Sequence, residues 1–175
     1  MALKVLFETG LTDVKSSDVE GVGTLRYGKL GRVYRWIKNR NATAFTAKQP
    51  VCYDAGNVST DALFKSVNSP VTADLMLAAG IAMTAIGKSG GTTGCYGWVQ
   101  VQGYFKDARV LTPATGADDI EIGSALVPVD TKTYLAYAGN AGTAPAYSNH
   151  FIALETVATA TGAAVVSKDV YVKCL

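Results

Sequence analysis

The chain has 175 residues and a formal net charge of +2, so it is long enough to bury one full core and carries no charge excess that would demand a nucleic-acid partner. Charged residues make up only 17% against 49% hydrophobic, with 18 glycines. That balance excludes a highly solvated disordered chain and suits a turn-rich β protein whose surface is partly covered by partners. The longest apolar run, Leu75 to Ile86, is interrupted by Gly80 and too short to cross a bilayer, so no membrane partner is expected.

Residues 1–23 begin with a short candidate strand, Ala2 to Phe7, and then dissolve into polar residues and glycines. They are expected as an N-terminal arm or leader, with a first hairpin of the body as the alternative, and 24–175 as a single β domain. The stripe Leu3, Val5 and Phe7 suits strand addition to a neighbour's sheet edge. Gly31 to Lys38 alternates, with Val33, Arg35 and Ile37 on one face and Arg32, Tyr34, Trp36 and Lys38 on the other. Ala44 to Tyr53 is its expected partner, with Pro50 marking an edge or a break.

Leu63 to Val67 reads as a short strand. Leu75 to Ile86 reads as strand in preference to helix, because Gly80 and Thr84 interrupt its alanines. After the glycine-rich loop Gly87 to Gly94, Tyr96 to Phe105 is the clearest strand. Trp98, Gln100, Gln102 and Tyr104 share one face; Val99, Val101 and Phe105 share the other and are expected in the core. Ala108 to Leu111, Gly123 to Asp130, Tyr134 to Tyr137, Phe151 to Thr156 and Val165 to Cys174 complete the strands, with a short helix as an alternative within Ala153 to Ala164 and an exposed loop at 139–149. Roughly eight to eleven short strands with little helix predict an all-β fold, a compact β-sandwich or β-barrel.

Chemical motifs fail one by one. Gly87-Lys88-Ser89 lacks the leading glycine of a phosphate loop, since position 82 is alanine, and no helix-forming sequence follows it. His150 is the single histidine, and no nucleophile elbow accompanies it. Cys52, Cys95 and Cys174 are too dispersed for a zinc knuckle and read as buried free thiols, in keeping with a reducing cytosol. Asp118, Asp119 and Glu121 cluster without calcium-loop spacing. No catalytic residue, cofactor or metal ligand is therefore expected, and the chain is not expected to be an enzyme.

Charge distribution says more than its total. Between Gly21 and Tyr53 there are seven basic residues and no acidic one. Arg26, Lys29, Arg32, Arg35, Lys38 and Arg40 interleave with Tyr27, Tyr34 and Trp36. Such mixing suits single-stranded nucleic acid or a protein interface equally; the modest net charge favours the protein interface, with a plain solvated sheet face as the alternative. The interface candidates are Arg32, Tyr34, Trp36 and Lys38 on one strand and Trp98, Gln100, Gln102 and Tyr104 on the other, with Leu3, Val5 and Phe7 on the arm. Arg35 lies among apolar residues and needs a partner if buried.

Two phrases carry a resemblance. Gly31-Arg32-Val33-Tyr34-Arg35-Trp36-Ile37-Lys38-Asn39 is followed by Thr43-Ala44. Ala79-Gly80-Ile81-Ala82 is followed, after a glycine-rich spacer, by Tyr96-Gly97-Trp98-Val99-Gln100-Val101-Gln102-Gly103. Together they resemble the small decoration or cement proteins of tailed-bacteriophage capsids. The resemblance implies a β-rich homo-oligomer, a trimer by preference, that binds the outer surface of the virion head after assembly in the host cytoplasm. There it would bridge major capsid protein subunits without catalysis. Another virion component (a head-fibre base, spike or tail protein) and a carbohydrate- or nucleic-acid-binding β module are the alternatives.

Overall fold

The longest element is a 16-residue strand, Tyr96–Leu111, and the other strands close around its two halves. The computed structural model describes residues 7–54, 66–68, 70, 77–91, 94–114, 117–138 and 150–174. Leu3, Val5, the 139–149 loop and the start of the Leu63 to Val67 strand lie outside them. In chain order the strands are β1 (Leu25–Tyr27), β2 (Val33–Asn39), β3 (Pro50–Tyr53), β4 (Ser66–Asn68), β5 (Ala78–Ala82), β6 (Tyr96–Leu111), β7 (Ala125–Pro128), β8 (Leu135–Tyr137), β9 (Phe151–Ala153) and β10 (Val165–Lys173). The fold is all-β. Residues 154–164, where a short helix was the alternative, instead carry isolated bridges from Val157 to Ile120 and from Ala160 to Ala114.

The strand order is β1-β2-β4-β3-β5-β6-β10-β9-β7-β8, with β6 also pairing β2 and β8. Two closed circuits result. The N-terminal half of β6 completes a ring with β2, β4, β3 and β5; its C-terminal half completes a ring with β10, β9, β7 and β8. Closure removes sheet edges that would otherwise template aggregation. Each ring gathers its own core. Val33, Ile37, Phe45, Val51, Val67, Val99 and Val101 pack in the first. Phe105, Val110, Leu126, Leu135, Phe151, Val170 and Val172 pack in the second.

β6 passes from the first core to the second between Val101 and Phe105, and changes parity only later, within the second core. Val99, Val101 and Phe105 point inward at odd positions, whereas Ala108 and Val110 do so at even ones. The register against β10 runs Phe105 to Val170 and then Ala108 to Lys168, which leaves Lys106 and Asp107 opposite Asp169 alone. This is a β-bulge, and Asp107 occupies it with φ of 59°. The extra residue flips the side chains that follow it. Ala108 to Leu111, expected as a separate strand, is the continuation of β6 beyond that bulge.

Partnering of β2 also differs from expectation. Only Pro50–Tyr53 of the Ala44 to Tyr53 segment is a strand, and β4 lies between it and β2. Phe45 instead bridges Ile86. All three cysteines are free and buried.

Candidate functional site

The alternation on β2 and β6 groups Tyr34, Trp36 and Trp98 on one side of the first ring, but around the two tryptophans that side is covered and is not a contact surface. Trp36 and Trp98 are both 0% exposed. They form a cluster with Tyr34, covered by Phe7, Leu11, Val19 and Val22 of the chain's own N-terminal segment. The physical reason is that two indoles carry both a large apolar area and an N–H that requires a partner when buried. The segment supplies both needs. Trp36 Nε1 donates to Asp18 Oδ1 at 2.9 Å, and Trp98 Nε1 donates to Thr9 Oγ1 at 2.9 Å. Thr9 in turn donates from its N and Oγ1 to Glu20 Oε1 at 2.7 and 2.6 Å. Phe7 meets Trp98 edge-on at 5.7 Å, so it faces its own chain. Lys15 bridges to Tyr96. From Phe7 onward, the expected arm is a strap bound across β2 and β6.

With the tryptophans removed from the surface, the remaining candidates divide. Lys38 lies over the Tyr96 ring at 5.4 Å. Gln102 is half-buried and paired between Val33 and Lys173. Arg35 finds the partner its position requires: its Nη1 donates to the Tyr53 hydroxyl, and its guanidinium lies 5.6 Å from that ring. Burial pushes the Tyr53 phenol up to about 12.

The other four candidates converge. Arg32, Tyr34, Gln100 and Tyr104 line one open cavity of about 170 Å³, together with Lys48, Met83, Phe105 and Lys106. Lys48 belongs to the basic band 21–53 but is not among the interface candidates, and Lys106, on the far side of the sequence, is not singled out at all. The bulge of β6 builds this corner. Asp169, the single residue opposite it, accepts the Asp107 N–H at 3.1 Å and the Tyr104 hydroxyl. Asp107 Oδ2 accepts from Lys48 Nζ at 3.1 Å. The Arg32 guanidinium lies 5.3 Å from the centre of the Tyr104 ring. Arg32 and Lys106 have no ion-pair partner among the described residues. A larger cavity of about 270 Å³, lined by Leu111, Pro113, Ile120, Ala136 and Tyr137 among others, offers no charged group.

Burial pushes the Asp169 carboxyl up, but hydrogen bonds from the Tyr104 hydroxyl and the Asp107 N–H, helped by Lys106 and Lys48, outweigh it and hold it below its ordinary value. The same hydrogen bond raises the Tyr104 phenol. A depressed folded value means that Asp169 contributes fully above its unfolded pKa of about 3.9. That contribution disappears as pH falls through the lower folded value. Urea unfolding between about pH 5 and pH 2 should therefore show a smaller loss of stability in Asp169→Asn than in the parent; equal losses would contradict the bulge clamp.

Beside this corner, β1 and β2 are joined by a tight turn at Lys29–Gly31. Its tip is apolar and open: Leu30 is 85% exposed and Tyr27 74% exposed. Leu30 has φ of 59°, a left-handed conformation that costs a non-glycine residue about 1–2 kcal/mol. Among the described residues no group of three or more histidine, cysteine, aspartate or glutamate side chains is placed to hold a metal. Comparison with family models, curated proteins and solved structures finds no match.

Proposed function

We propose that this chain is a non-enzymatic structural protein of a phage virion. It binds the outer surface of the capsid and stabilises the shell by bridging major capsid protein subunits, working as a homo-oligomer, a trimer by preference. The observation that carries this reading is the turn at Leu30. A large apolar side chain held outward on left-handed backbone, next to an equally open Tyr27, is what a protein presents when that tip inserts into a partner. Lys29 within the turn and Arg32 at its end add positive charge beside the tip and favour an acidic surface. The class of partner comes from the resemblance of the 31–44 and 79–103 phrases to capsid decoration proteins. Oligomeric attachment multiplies individually weak tip contacts, and a protein bound to several subunits at once resists their separation.

Heads assembled with and without the protein test this reading. It should co-sediment with intact heads, and heads lacking it should rupture at a lower temperature. Leu30→Asp, which tolerates left-handed backbone, should abolish co-sedimentation while leaving the melting temperature of the free protein unchanged. Heads equally robust without the protein would sink the proposal.

A further inference from the structure

The corner built by the β6 bulge has a donor and acceptor pattern more specific than positive charge. Gln100 is 2% exposed. Its Nε2 donates to the carbonyls of Gly103 at 3.1 Å and Tyr104 at 2.9 Å, and these two acceptors fix which end of the amide is nitrogen. Gln100 Oε1 accepts no hydrogen bond from the described residues, although the side chain lines the cavity. Arg32 Nε is buried without a partner. Its guanidinium lies 5.3 Å from the centre of the Tyr104 ring, whose hydroxyl is held by Asp169. Lys106 adds a second cation without an ion pair. Lys48 is already committed to Asp107.

The site thus offers, among the described residues, two cations without ion pairs and one free acceptor, Gln100 Oε1. A phosphate or sulfate ester supplies acceptors alone and would face Gln100 Oε1 with like polarity. An acidic amino-acid residue supplies both kinds of group: a carboxylate for Arg32 and Lys106, and a backbone N–H for Gln100 Oε1. The cavity of about 170 Å³ is large enough for one such side chain.

We infer that this corner is a recognition pocket for an aspartate or glutamate of the capsid partner, received with its carboxylate on Arg32 and Lys106 and its amide N–H on Gln100. The inference rests on the capsid-binding reading for the partner's identity, and on the pocket alone for the ligand's chemistry. The Leu30 tip then supplies apolar insertion while the pocket supplies register and charge specificity.

Two measurements separate the two claims. In the first, the full chain labelled with ¹⁵N is titrated at low salt with a blocked peptide rich in Asp and Glu, and with its Asn and Gln counterpart. The expected result is a saturable shift of the Gln100 side-chain amide and the Gly103 N–H with the acidic peptide alone. Arg32→Gln or Lys106→Gln should weaken it about tenfold, and added salt should weaken it further. No shift, an equal shift with the neutral peptide, or unchanged affinity in both variants would overturn the pocket. A shift produced equally well by inorganic phosphate would overturn the assignment to an acidic residue. In the second, co-sedimentation with heads is compared for the parent, Arg32→Gln and Lys106→Gln. Reduced binding by the variants supports the pocket, and undiminished binding overturns it while leaving capsid attachment intact. If the parent itself fails to bind heads, the capsid reading falls, and the peptide titration still decides the pocket.

Discussion

Replacing Trp98 by alanine is expected to cost about 3–5 kcal/mol of folding stability, the range for removing a large buried aromatic. The side chain is fully buried where three elements meet. Trp36 lies 5.2 Å away on β2, Phe7 lies 5.7 Å away on the strap, and Arg26 of β1 lies 5.9 Å from the ring. Alanine would leave a cavity and also strip Thr9 Oγ1 of its donor. A domain commonly has only about 5–15 kcal/mol in total, so the variant should be near its threshold. Trp98→Phe retains most of the packing and loses the N–H, and should cost about 1–2 kcal/mol. Urea denaturation measures both. Limited proteolysis should find cleavage within residues 8–23 of Trp98→Ala before any in the barrel strands. A loss below about 1 kcal/mol with an intact strap would contradict the burial of this cluster.

The second large effect is expected at Gly80. Its φ is 136°, which side chains rarely adopt, and a Cβ there would sit 2.3 Å from the Gln100 carbonyl oxygen and 3.0 Å from its carbon. Those atoms are backbone, so no rotamer change relieves the overlap. β5 must move away from β6, along with Ala79 and Ile81 on either side, which belong to different cores. Strain and overpacking together predict a cost of about 2–6 kcal/mol for Gly80→Ala. Gly123 is the control: its φ is also positive at 89°, but nothing lies within 4 Å of the added atom. Gly123→Ala should cost only the conformational penalty, about 1–2 kcal/mol. Equal costs at the two positions would show that contact with Gln100 does not govern β5.

Much of the fold was legible because alternation is local. It placed Val99 and Val101 in the core, grouped Tyr34 with Trp36, and set the all-β class. It failed where a single residue broke the period: the bulge at Lys106 and Asp107 made one strand look like two. It set Trp36 and Trp98 each on the outer face of its own strand, but not that β2 and β6 pair Trp36 with Trp98, nor what covers them. The strap is mostly polar, with Phe7, Leu11, Val19 and Val22 in no period, and its attachment relies on Asp18, Thr9 and Glu20 meeting indole and backbone donors. Hydrogen-bond partners so far apart in sequence leave no local pattern. The pocket was half legible. Arg32, Tyr34, Gln100 and Tyr104 lie on the two strongest strands, whereas Lys48 and Lys106 reach it through a loop and a bulge. The alanines of 153–164 suggested a helix, but that segment is pinned by bridges to Ile120 and Ala114, whose tertiary pairing outweighs local propensity.

The most direct test of the central claim is a reconstruction of the assembled head at a resolution that shows side chains. The account predicts this chain on the outer surface, with the turn at Leu30 and the Arg32–Tyr104 corner against capsid subunits and Trp36 and Trp98 still sealed beneath residues 7–22. Absence of the chain from the shell, or attachment with the Leu30 turn facing solvent, would contradict it.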